Sequence, residues 1–182
     1  MYKVFINPGH MPGVDPGAVN KYFGITEADV VHEIGILVSD YLNQAGCEAV
    51  VVQSDNLAGE NPQYDNVCAT ANTWPADLFV SIHCNAFNGS AGGTETCVYS
   101  YGGNSAKLAE CIQQQIVNSV DTIDRGIKER PGLIVLKKTN MPAVLVETAF
   151  IDNEHDAQIL MEQKEEIARA IARGVTDYLS GL

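Results

Sequence analysis

The chain has 182 residues and a mass of 19.6 kDa, enough for one well-buried domain and too little for two. The chain has 23 Asp and Glu residues against 11 Lys and Arg, which gives a net charge of −12. Binding to nucleic acid needs clustered Lys and Arg side chains, so we do not expect a nucleic-acid partner. The five cysteines are odd in number and form no C-x-x-C pair, which is typical of reduced core thiols. No basic start with an apolar stretch precedes the first strand, and no run of about 18 apolar residues occurs, so we expect neither a signal peptide nor a membrane partner.

Short β-branched runs alternate with longer amphipathic stretches, the pattern of an α/β fold with a mainly parallel sheet. The first long helix shows apolar residues at helical spacing, with Thr26 as its N-cap and Gly46 as its terminator. The predicted strands are Lys3–Ile6, Ala49–Val52, Leu78–Ile82, Thr94–Tyr99, Leu133–Leu136 and Ala143–Val146. The other predicted helices are Gln63–Ala71, Asn104–Ser119, Glu154–Met161 and Gln163–Leu179. The chain has no internal repeat and no linker, so we predict a single domain over residues 1–182.

Three polar side chains stand where a parallel sheet would deliver them to one edge. His10 follows the first apolar run, His83 follows the run Leu78–Ile82, and Glu27 opens the first long helix. Ligands of open α/β sheets bind outside the carboxyl ends of the strands, where strand-to-helix loops converge. Two imidazoles and a carboxylate are sufficient to hold a catalytic zinc ion with one position left open for water. The sequence therefore indicates a zinc hydrolase.

Each of these residues also has an ordinary structural interpretation. A lone histidine after a strand is more often a loop hydrogen-bonder, and any carboxylate is favoured in the first turn of a helix. Asp15 is either the carboxylate that orients a metal-bound histidine or a turn residue in Asp15-Pro16-Gly17. Cys84 is a rival nucleophile or ligand, but neighbouring strand residues point to opposite faces, so we interpret it as a packing residue beside His83.

Glu147 follows the apolar run Ala143–Val146, which places its carboxylate at the margin of the core. A buried carboxylate is costly unless it is paired or near a metal, and burial raises its pKa towards the range useful for proton transfer. The alternative is an N-cap or salt-bridge partner of the following helix, but Asp152 and Asn153 are better placed for capping. We therefore predict that Glu147 is the catalytic residue.

Several motifs run in a fixed order across nearly the whole chain. They are Asn7-Pro8-Gly9-His10, Asp15-Pro16-Gly17-Ala18, Gly24-Ile25-Thr26-Glu27, Ala76 to Ala86 with His83 near its end, Gly93-Thr94-Glu95-Thr96, Asn140 to Glu147, and Phe150-Ile151-Asp152-Asn153. Together they resemble the zinc-dependent N-acetylmuramoyl-L-alanine amidases of the amidase-3 type. Two departures are Ala149, where family members often carry glycine, and the missing basic residue in the helix before the third strand.

The resemblance implies a twisted, mostly parallel sheet of about six strands with helices on both faces. It also implies that His10, Glu27 and His83 hold one Zn²⁺ per chain and that Glu147 is the catalytic residue. The substrate would be the amide joining the lactyl group of N-acetylmuramic acid to L-alanine in peptidoglycan. The metal would polarise the scissile carbonyl, and Glu147 would carry a proton from water to the departing nitrogen. No arginine or lysine obviously lies near these motifs, so the oxyanion would depend on the metal.

Such amidases serve as bacterial autolysins and as phage endolysins that lyse the cell wall. A start at Met1 without a signal fits a phage-type enzyme that stays cytoplasmic until lysis, whereas a signal removed from the chain would mean an extracellular enzyme. We expect a monomeric catalytic domain, truncated before a C-terminal wall-binding domain. The alternative activity is a zinc metallopeptidase that cuts within the stem peptide. A non-catalytic wall-binding module is a weaker alternative, because it would not require both histidines and Glu147. A nucleotide-binding protein is also weaker, because this chain has no G-x-G-x-x-G or P-loop motif after a strand.

Overall fold

The computed structural model describes residues 1–181, which form a six-stranded sheet, a small hairpin and six helices. The strands are β1 (Lys3–Pro8), β2 (Val19–Asn20), β3 (Ile25–Thr26), β4 (Glu48–Val51), β5 (Leu78–Asn85), β6 (Thr94–Val98), β7 (Asp124–Glu129) and β8 (Ala143–Phe150). The helices are α1 (Glu27–Gln44), α2 (Val67–Thr73), α3 (Gly103–Ser119), α4 (Ile134–Lys138), α5 (Glu154–Glu162) and α6 (Lys164–Ser180). Within this part of the chain, every helix is too short or too polar to cross a lipid bilayer.

The main sheet has the strand order β4-β1-β5-β8-β6-β7. Neighbouring strands are parallel except for β8 and β6, which are antiparallel. The predicted mostly parallel sheet of about six strands is therefore confirmed. Because β1, β5 and β8 lie side by side and run the same way, their carboxyl ends meet at one edge, where ligands of α/β sheets bind.

The two faces of the sheet are covered unequally. On β8, Val144 and Val146 pack into the cluster formed with α1, α3 and α6, whereas Ala143 and Leu145 pack with the short helices α2 and α4. Side chains alternate between faces along a strand, so Glu147 lies on the second face with Leu145. It stays partly exposed there, because α2 and α4 are short.

Two predicted elements were wrong. The apolar run Leu133–Leu136 is not a strand but the start of α4, since periodicity cannot separate a short buried helix from a strand. The sixth strand is instead β7, inside the polar stretch Asp121–Gly132, where no strand was predicted. As the last strand in the order, β7 has one free edge and mostly half-buried residues, so its polar composition is compatible with a strand.

Candidate active site

His10 lies just beyond β1 in a strained, closely held turn. Its φ of 58° is the single positive value at a non-glycine residue within 1–181. The turn is joined to β5 by the Gly9 amide, which donates to the Ile82 carbonyl at 2.8 Å. Asp15 Oδ2 lies 2.5 Å from His10 Nδ1, while Asp15 Oδ1 accepts a hydrogen bond from the Gly17 amide. Asp15 thus makes both kinds of contact that were considered for it, one to the imidazole and one within the turn.

Glu27 joins the two histidines at the N-terminus of α1. Its side chain is buried, with Oε2 3.1 Å from His10 Nε2 and Oε1 3.0 Å from His83 Nδ1. The amides of Ala18 and Cys84 each donate to the same carboxylate at 3.0 Å. Burial by itself would raise the pKa of Glu27, but the hydrogen bonds from both histidines hold that pKa well below its ordinary value. Glu27 is therefore an anion at neutral pH.

The three side chains form a cluster that suits a cation. Their ligand atoms all lie within 4.8 Å of one another. The hydrogen bond to Glu27 raises the pKa of His10 to about 9 against the effect of burial, so the site stabilises positive charge. The backbone fits closely around the rings, because a Cβ on Gly9 would lie 2.1 Å from His83 Cε1. Two imidazole nitrogens beside an ionised carboxylate are a donor set that can hold a divalent metal.

Glu147 stands next to this cluster on the adjacent strand. It is the register partner of His83, and β8 continues past it to Phe150 instead of ending there as predicted. Glu147 Oε2 is buried and has no hydrogen-bond partner within residues 1–181. Burial raises the pKa of Glu147 to about 7, so this carboxylate can take up and release a proton near neutral pH.

Cys84 packs on the opposite face of β5 from His83, as predicted from the strand alternation. Its side chain is 4% exposed, and burial raises the pKa of its thiol well above the ordinary value. A thiol with a raised pKa is a poor nucleophile and a poor ligand at neutral pH. The structure therefore favours the packing interpretation.

Glu95 and two arginines also belong to this region, although the sequence reasoning missed their contribution. Glu95 on β6 is the register partner of Glu147 and is 4% exposed. Arg125 Nε donates to Glu95 Oε2 at 2.8 Å, and Arg130 Nη2 lies 3.9 Å from Oε1. The expectation that no arginine or lysine lies near the motifs is thus wrong. One signal was available, because a glutamate between two threonines in a buried strand requires a partner.

Comparison with known proteins agrees with this architecture. Residues 4–177 match the family model described as N-acetylmuramoyl-L-alanine amidase. The chain is 40% identical over 179 residues to YqiI of Bacillus subtilis strain 168, covering 96% of this chain and 84% of YqiI. It is 38% identical over 180 residues to the N-acetylmuramoyl-L-alanine amidase LytC of the same organism, but it spans 35% of that protein's length.

A solved structure shares the whole fold. The N-acetylmuramoyl-L-alanine amidase AmiC2 of Nostoc punctiforme superimposes with a TM-score of 0.86 and 31% identity, covering 98% of this chain and 97% of that chain. The match extends over the strands that lead to His10, His83 and Glu147. The chain therefore belongs to the N-acetylmuramoyl-L-alanine amidase family, as its motifs indicated.

Proposed function

We propose that this chain is a zinc-dependent hydrolase that cleaves the amide bond between N-acetylmuramic acid and L-alanine in peptidoglycan. The amidase class follows from the family. The observation that supports the mechanism is the position of Glu147, whose buried Oε2 has no hydrogen-bond partner within residues 1–181, beside the cluster of His10, Glu27 and His83. A metal-ligand set next to a carboxylate with a pKa near 7 is suited to hydrolysis of a stable amide.

We assign the metal to His10, Glu27 and His83. Two histidines and one glutamate are a ligand set typical of catalytic zinc, which keeps a further coordination position open. Zinc bound there would polarise the scissile carbonyl and acidify water. Asp15 supports this role because it engages His10 Nδ1, which leaves Nε2 directed at Glu27 and free to be the ligand atom.

Glu147 is the proton carrier in this proposal. Its pKa of about 7 lets it accept a proton from water and return that proton to the L-alanine nitrogen under the same conditions. No protein hydrogen bond within residues 1–181 stabilises its Oε2 as an anion, which favours uptake of a proton by this carboxylate. Glu27 stays ionised at the same pH, because its pKa is lowered by the two histidines. The two carboxylates therefore have environments that suit different roles, ligand and base.

The test is digestion of purified peptidoglycan by the zinc-loaded chain, with identification of the new amino termini. New L-alanine amino termini are the expected product, since they are released by cleavage of the lactyl amide alone. New termini on a later stem residue would instead identify a metallopeptidase, and no new termini would reject hydrolysis. The inactive control is Glu147→Gln, which keeps the size of the side chain and removes its basicity.

Metal content completes the test. About one zinc per chain is expected after purification, and His10→Ala should lower this content because it removes one of three protein ligands. Full retention of zinc in that variant would reject the ligand assignment. Four statements stay predictions from the sequence: the single domain over residues 1–182, the monomeric state, the accompanying wall-binding domain, and the choice between a cytoplasmic phage-type enzyme and an extracellular one.

A further inference from the structure

A row of charged side chains crosses four strands at one level of the sheet. His83, Glu147 and Glu95 are register partners on β5, β8 and β6. Directly paired residues project from the same face, so the three side chains lie side by side. Arg125 on β7 extends the row through its ion pair with Glu95. The row therefore leads from a proposed metal ligand, past the proposed base, to an arginine.

The pairing of β6 with β7 shifts register at the level of the sheet where Arg125 joins this row. Between β6 and β7 the pairing gains one residue, so that Arg125 and Gly126 together stand opposite Glu95. Gly126 has a φ of 70°, a conformation that glycine adopts without the steric cost of a Cβ. Bulges of this kind commonly re-aim a side chain beside a functional site. Here the shift coincides with a guanidinium that reaches the Glu95 carboxylate.

Two guanidinium groups share this one carboxylate. Glu95 is buried, but the side chains of Arg125 and Arg130 are 36% and 52% exposed. Arg125 Cζ also lies 4.9 Å from the ring centroid of Phe150, which restrains the guanidinium. Each guanidinium has five N–H donors, of which Glu95 can occupy few. The cluster thus keeps one net positive charge and unused donors at the surface of a chain whose net charge is −12.

The proposed function determines which part of the substrate lies over this cluster. Glu147 must come within hydrogen-bond distance of the leaving nitrogen, so the released peptide begins on the Glu147 side of the metal. From Glu147 the row continues to Glu95 and then to Arg125. Neighbouring strands are about 4.8 Å apart, which places β7 about 10 Å from β8. An extended peptide advances about 3.4 Å per residue, so its second residue lies about 7 Å from the nitrogen, within reach of both arginines.

We propose that Arg125 and Arg130 bind a carboxylate of the stem peptide near the scissile amide. The inference rests on the proposed function, since it places the leaving peptide. Arginine is suited to this role because its planar fork binds carboxylates with two parallel hydrogen bonds. Glu95 is a positioning residue that holds both guanidinium groups beside Glu147. The enzyme would therefore discriminate between stem peptides with a free carboxylate and those in which it is amidated.

The test uses two synthetic muramoyl tripeptides that differ only in the second residue, which carries a free carboxylate or the corresponding carboxamide. Wild-type enzyme should show a kcat/KM about tenfold higher for the carboxylate probe, the ratio that one added charge-assisted contact produces. Arg130→Gln should reduce this preference to about twofold or less, chiefly through KM. Arg173→Gln is the matched control, because it removes the same charge from exposed α6 on the other face of the sheet and should leave the preference unchanged.

Several results would overturn the inference while leaving the amidase function intact. These are equal cleavage of both probes by the wild-type enzyme, an equal loss on both probes in Arg130→Gln, or the same change in preference in Arg173→Gln. The last result would mean that overall charge, and not this cluster, steers the substrate. Failure of the wild-type enzyme to release the peptide from either probe would reject the proposed function itself, and the inference with it.

Discussion

Replacing Glu147 by glutamine should abolish turnover and at the same time stabilise the metal-free fold. Burial raises the pKa of Glu147 from its ordinary 4.5 to about 7. Between pH 4.5 and about pH 7, Glu147 is therefore protonated in the folded state and ionised in the unfolded state. Its effect on the free energy of unfolding is absent below about pH 4.5. That free energy falls as the pH rises towards 7, and above pH 7 it is lowered by the full cost of the buried charge.

The size of this cost follows from the two pKa values. A gap from 4.5 to about 7 corresponds to about 3 kcal/mol at 1.36 kcal/mol per pH unit. Glutamine removes the charge but leaves a buried polar group, and the protonated carboxyl of Glu147 bears that same cost, so it cancels in the comparison. We therefore expect Glu147→Gln to gain about 3 kcal/mol in the free energy of unfolding at pH 8 and close to nothing at pH 4.5.

Urea unfolding in the presence of a chelator, at both pH values, measures this difference. Glu48→Gln is the control, because it removes the same charge from an exposed position on β4. Added zinc should reduce the gain, since a nearby cation stabilises the ionised Glu147. A loss of stability at pH 8, or a gain equal to that of the control, would refute the argument that Glu147 is a destabilising buried charge.

Three further perturbations test the candidate site. Gly9→Ala should lower activity about 100-fold, because its Cβ would lie 2.1 Å from His83 Cε1. The control is Gly132→Ala, which should keep its activity because nothing lies within 4 Å of the added Cβ. Similar activities in the two variants would argue against the close fit around His83. Asp15→Asn should weaken zinc affinity about 10-fold to 100-fold, because Asp15 orients His10, and an unchanged zinc Kd in a competition titration would remove that role. Chelation should abolish peptidoglycan lysis and added Zn²⁺ should restore it; lysis that persists without metal would contradict the mechanism.

The local sequence pattern was sufficient to locate the candidate site. Polar residues that directly follow apolar runs pointed to His83 and Glu147, the turn after the first apolar run pointed to His10, and the start of the first long helix pointed to Glu27. The structure brings the three predicted ligands within 4.8 Å and places the fourth residue on the neighbouring strand. This succeeded because the edge of a parallel sheet is fixed by chain direction, which strand and helix order already reveal.

The sequence was less informative where elements are short or polar. The run Leu133–Leu136 has too few residues for its periodicity to separate helix from strand, and it became the start of α4. β7 was missed because a strand at the end of the sheet order can be polar on much of its surface.

The sequence by itself determined the family, the fold class and the residues of the proposed metal site, because these are encoded in contiguous motifs and in their order along the chain. Only the tertiary structure decided that Glu95 lies beside Glu147 and forms ion pairs with Arg125 and Arg130. Those contacts join residues 30 to 52 positions apart and depend on strand order and on one register shift in the sheet. Register is set by the packing of whole strands, which no local motif specifies.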